Sequence, residues 1–134
     1  MSSFVEECWF VYGIKVLGRF FGFKVYHSSA TPGSVEFKWE RALLKYMVGW
    51  VHTHPPGFNY VSGTDDKTMK GWSIALGKPL LCAVSCDGGV KAWQYWKETK
   101  NRNSSVVCRK EISIKVKGPF ITANTLGDTK VDRV

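Results

Sequence analysis

The segment His52-Thr53-His54-Pro55, six further residues and then Ser62-Gly63-Thr64-Asp65 brings together side chains that bind metal ions. The short apolar run Met47-Val48-Gly49-Trp50-Val51 leads into it and reads as a buried strand. Residues two apart on a strand face the same way, so His52 and His54 present their imidazoles side by side. Pro55 to Tyr60, with two prolines, a glycine and an asparagine, must be a loop. Met69, Trp72 and Leu76 then recur at helical intervals up to Gly77, and the helix stops before Lys78-Pro79. Asp65, in the first turn of that helix, can return to the strand end as a third ligand. Two histidines and one carboxylate leave a tetrahedral zinc ion one open position, the arrangement of a catalytic site rather than a structural one. Each part has a simpler reading. A His-x-His pair occurs without metal, and Ser62-x-x-Asp65 also spells a helix-capping arrangement. Their coincidence at strand end, loop and helix start points to one zinc ion per chain, held by His52, His54 and Asp65.

The surrounding elements must carry these residues. Val5 to Tyr12 is apolar and β-favouring and ends at Gly13; Arg19 to His27 is a second strand rich in Phe and Val. The loop Ser28 to Ser34 follows. Phe37 to Tyr46 has apolar positions at 39, 43, 44 and 47, which predicts a helix. Strands Leu80 to Cys86 and Val90 to Trp96 are joined by Asp87-Gly88-Gly89, a hairpin signal. Ser105 to Lys117 is a last strand. The tail from Gly118 (about 118–134) has weak periodicity, and its end is expected to be mobile. Strands interleaved with two helices predict a single α/β domain over 1–134, a mixed central β-sheet flanked by helices.

The pattern His52-x-His54-Pro55, six residues, Ser62-x-x-Asp65 resembles the zinc signature of the JAMM (MPN+, or JAB) metalloprotease family, with Val48 to Val51 and the helix after Asp65 also similar. The resemblance covers roughly residues 4 to 96. It implies a JAMM/MPN, cytidine-deaminase-like α/β fold and hydrolysis of the bond after the C-terminal tail of a ubiquitin-like modifier. Glu6-Glu7-Cys8-Trp9-Phe10-Val11-Tyr12-Gly13 resembles the family segment that carries the catalytic glutamate. Counting back from Gly13 places Glu6, not Glu7, at that position, while Trp9 stands where the family has a glycine. Glu36 and Glu40 are weaker candidates, on or near the Phe37 helix. The resemblance assigns Glu6 as general base and Ser62 as donor to the developing oxyanion. Family domains place a strand and a helix before this glutamate. The implied version is therefore minimal, its missing layer coming from the C-terminal segment or from a partner such as a second copy. Small size resembles prokaryotic members, including those of antiviral conjugation systems.

Composition narrows the rest. With 44% hydrophobic residues and 14% aromatics the chain reads as folded rather than disordered. No apolar run reaches the roughly 18 residues of a membrane-spanning helix, and the start lacks a signal-peptide pattern, so no membrane is expected and the location expected is cytoplasmic. Cys8, Cys82, Cys86 and Cys108 fit that compartment as free, buried thiols. Nineteen basic against 11 acidic residues give a net charge of +8. The cations are scattered singly, the pattern of a generic basic surface rather than of a nucleic-acid interface. Two other functions compete: a zinc peptidase acting on small peptides, phage-tail or cell-wall substrates, and a non-catalytic MPN scaffold.

Overall fold

A computed structural model of the chain describes residues 6–28, 45–127 and 129–134. Among them are eight strands: β1 (Cys8–Val16), β2 (Arg19–Ser28), β3 (Met47–Thr53), β4 (Leu80–Cys86), β5 (Gly89–Asn101), β6 (Ser104–Lys117), β7 (Phe120–Asn124) and β8 (Val131–Arg133). One helix, α1 (Gly63–Leu76), connects β3 to β4. Leu17-Gly18 joins β1 to β2 and Asp87-Gly88 joins β4 to β5. All four residues have positive φ, the turn geometry whose twist matches that of paired strands.

The strands run in the order β5-β4-β3-β1-β2-β7-β6, and β6 pairs back onto β5, so seven strands close into a barrel. β8 attaches to β6 at Cys108 to Lys110. Only β3 and β4 are parallel, with α1 as their crossover; every other pairing is antiparallel. This corrects the expected α/β architecture, a mixed central sheet flanked by helices, and with it the JAMM/MPN, cytidine-deaminase-like fold that the motif implied. The reason lies in two sets of pairings. β5 and β6 form a long hairpin, from Ala92↔Ile112 to Asn101↔Ser104. β7, from the weakly periodic tail, pairs with β2 from Arg19↔Asn124 to Phe23↔Phe120, and this closes the wall. The helix expected over Phe37–Tyr46, with Glu36 and Glu40, lies outside the described residues apart from Lys45-Tyr46, which form a turn.

Alternation along the strands divides the apolar residues into two cores. Val11, Phe20, Val48, Val51, Leu81, Ile112 and Ile121 fill the barrel, with Ala83, Ala92 and Ala123 keeping its interior narrow. The opposite side of β1, β3, β4 and β5 carries Cys8, Phe10, Trp50, Cys82 and Tyr95, which α1 covers with Met69, Trp72 and Leu76. Gly49 sets the register between the two. Val48 is passed over in the pairing with β1, since Val11 pairs with Gly49 and Tyr12 with Met47. A Cβ on Gly49 would lie 2.0 Å from the Leu81 carbonyl oxygen, so only glycine lets β3 and β4 approach here.

The four cysteines are free and buried. Burial, and secondarily the Glu6 charge, pushes the Cys8 thiol up to about 12. Burial and the Asp65 charge likewise push Cys82 well above its ordinary value. Protonated, enclosed thiols are poor nucleophiles. Alkylation of the native protein at pH 8 should therefore spare Cys8 and Cys82, and denaturant should expose both. Rapid labelling of Cys82 in the folded chain, read by mass spectrometry, would contradict this packing.

Candidate metal centre

His52 and Trp50 share the outer side of β3, where α1 covers the wall. The Trp50 indole stacks on the His52 ring with centroids 3.9 Å apart and planes 10° from parallel. Its own Nε1–H donates to the Met69 sulfur at 3.0 Å, tying the stack to the helix. His52 is fully buried and its Nδ1 meets no hydrogen-bond partner among the described residues, so stacking rather than a second hydrogen bond orients this ring. His54 lies just past the strand end; its backbone N–H donates to the Ser85 carbonyl.

The loop after His54 is built to return. The Phe58 N–H donates to the Pro55 carbonyl, and the Gly57 N–H donates to the Asp87 carboxylate in the β4–β5 turn. Ser62 then caps α1. Its hydroxyl accepts from the Asp65 N–H at 3.0 Å, while the Asp65 carboxylate accepts from the Ser62 N–H at 3.2 Å, a reciprocal capping box. The capping reading of Ser62-x-x-Asp65 and the ligand reading of Asp65 thus describe the same residues. Capping fixes the carboxylate where the histidines meet it.

Asp65 Oδ2 lies 2.9 Å from His52 Nε2 and 3.0 Å from His54 Nε2. The three donor atoms lie within 4.8 Å of one another, and all three residues are buried. This group could hold a metal ion. A tetrahedral ion with bonds of about 2.0–2.1 Å spaces its donors about 3.3 Å apart, close to the 2.9 and 3.0 Å from Asp65 to the two imidazoles. Proton accounting gives a second reason. His54 Nδ1 lies 2.9 Å from the Phe58 carbonyl oxygen, which can only accept, so Nδ1 carries the proton. In the neutral ring Nε2 then turns a lone pair toward the Asp65 carboxylate. Two electron-rich atoms at 3.0 Å require a cation between them, either a proton or a metal ion. A histidine whose far nitrogen donates to a carbonyl is the usual setting of a metal ligand. Burial acts to raise the Asp65 pKa. The His52 hydrogen bond, the pull of the two imidazoles when they are protonated and the Ser62 N–H outweigh it and hold the carboxyl below its ordinary value.

Glu6 is half-buried and precedes β1 by two residues. Cys8 pairs with His52, and Glu7 exchanges bonds with Thr53: the Thr53 N–H donates to the Glu7 carbonyl and the Glu7 N–H to the Thr53 hydroxyl. Glu6 precedes this pairing, and its charge acts on the Cys8 thiol opposite His52. Glu6 is not one of the clustered ligands. Glu7 is exposed.

Sequence reasoning did not foresee the Phe58 carbonyl as a partner of His54, and no side chain encodes it. Trp50 had a signal, since it stands two residues before His52 on the same strand. No helix among the described residues is long and apolar enough to cross a membrane. No family model matches the chain and no curated protein is similar to it, so the likeness to the JAMM signature rests on the motif residues alone.

Proposed function

We propose that the chain is a zinc-dependent isopeptidase or peptidase of JAMM type, acting on the C-terminal tail of a ubiquitin-like protein. The observation that carries the reading is the convergence of two buried imidazoles and one buried carboxylate on a single point, with the His54 proton turned away from it. His52, His54 and Asp65 would hold Zn2+, a fit to the preference of that ion for nitrogen and oxygen donors. When bound, zinc supplies Lewis acidity toward water and toward a carbonyl oxygen. Glu6, two residues before β1, takes the proton of the attacking water as the new C–O bond forms. It then delivers that proton to the leaving amine as the C–N bond breaks. The Ser62 hydroxyl accepts from the Asp65 N–H, which leaves its own proton to donate to the developing oxyanion.

The substrate class follows from the resemblance. Two exposed aromatic rings, Phe58 and Tyr60, stand 5.9 Å apart on the loop beside His54 and offer an apolar surface to an extended tail. The excess of positive charge suits an acidic modifier.

Protein purified without chelator should contain about one zinc per chain by elemental analysis. It should cleave a fusion at the end of a ubiquitin-like protein faster than a short unrelated peptide, and lose that activity to a chelator. Protein that carries no metal and cleaves neither substrate would sink the proposal. Stoichiometric iron would replace hydrolysis with oxygen chemistry, which the same donor set also supports.

A further inference from the structure

Asp66 follows the ligand Asp65 on α1, yet its carboxylate turns the other way. Its Oδ1 accepts from the Tyr95 hydroxyl and from Arg109 Nη1, each at 2.5 Å. Tyr95 is fully buried beneath the helix, and burial pushes its phenol far above the usual value, so it remains a donor. Tyr95 and Arg109 are direct cross-strand partners on β5 and β6, the hairpin that closes the barrel. Behind them, Arg109 Nε lies 4.0 Å from Asp132 on β8. The first turn of α1 is therefore held at two points: Asp65 reaches β3, and Asp66 is gripped by β5 and β6.

We propose that Asp66, Tyr95 and Arg109 are positioning residues that fix the Asp65 carboxylate in metal-binding geometry without touching the ion. A favourable charge at the helix start would explain an acid at position 66. It would not explain two donors from adjacent strands converging on one oxygen. The hydrophobic contacts of Met69, Trp72 and Leu76 hold the body of the helix, and the capping box ties the Asp65 side chain to its own helix start. The clamp adds a tie between that helix start and the barrel wall. Partners behind a metal ligand typically alter affinity by about 10–100-fold.

This inference rests on the reading of His52, His54 and Asp65 as a metal site. The test compares the full-length chain with Y95F, D66N and G77A, using zinc affinity by competition with a chromophoric chelator and the visible spectrum of the Co2+ form. Y95F deletes one hydroxyl at constant shape and is expected to fold even where D66N does not. It should bind zinc about 10-fold more weakly and change the Co2+ spectrum. G77A strains the left-handed helix end (φ 63°), far from the clamp, and should lower the melting temperature while leaving affinity and spectrum unchanged. If Y95F keeps wild-type affinity and spectrum, the clamp is only structural and the proposal fails. If the wild-type chain takes up neither zinc nor Co2+, the metal reading itself fails and takes the clamp with it.

Discussion

His52→Ala is expected to leave the protein folded and without metal. The substitution removes one of three ligands yet spares the capping box of Ser62 and Asp65, so the helix start survives it. Asp65→Ala would confound the two effects, because that carboxylate also caps the helix. A metal present at about 1,000 times its dissociation constant stabilises a fold by about 4 kcal/mol. A chelator should therefore lower the melting temperature of the wild type and leave that of His52→Ala unchanged. Elemental analysis should find about one zinc per wild-type chain and none in the variant. Stoichiometric zinc in His52→Ala would place the ion elsewhere.

Glu6→Gln should show the opposite pattern, with metal retained and hydrolysis lost. The glutamine keeps the size of the side chain but cannot accept the proton of water. Proton transfer by a positioned group contributes about 100–10,000-fold, and the rate should fall within that range. Glu7→Gln should stay near wild type, since Glu7 engages Thr53 through its backbone and its side chain is exposed. Ser62→Ala should fall between them: losing the oxyanion donor costs about 100–1,000-fold in rate, and losing the cap about 1 kcal/mol in stability. Wild-type turnover by Glu6→Gln would remove Glu6 from the mechanism.

The clustering of His52, His54 and Asp65 was legible because strand alternation and helix capping are local. One residue on β3, one just past its end and one in the first turn of α1 obey rules that span a dozen positions. The barrel was not legible. Its closing strand β7, Phe120-Ile121-Thr122-Ala123-Asn124, faces inward with one isoleucine and one alanine, too faint an alternation to announce a strand. Which strands pair is not a local property at all: Arg19 meets Asn124. Asp66 was equally opaque. An acid in a first helical turn is ordinary, and only the approach of Tyr95 and Arg109 from two later strands gives this one a task.

That seam between β2 and β7 also sets a timetable. Folds dominated by pairings so distant along the chain tend to form in milliseconds to seconds, because closing such a loop is entropically costly until neighbouring contacts reward it. A ribosome releases roughly 5–20 residues each second. His52, His54 and Asp65 thus emerge seconds before Arg109 and Asn124. During synthesis the nascent chain carries these three side chains with neither a closed wall nor the Tyr95 and Arg109 contacts behind them. If His52, His54 and Asp65 hold an ion, its high-affinity capture belongs to the finished chain.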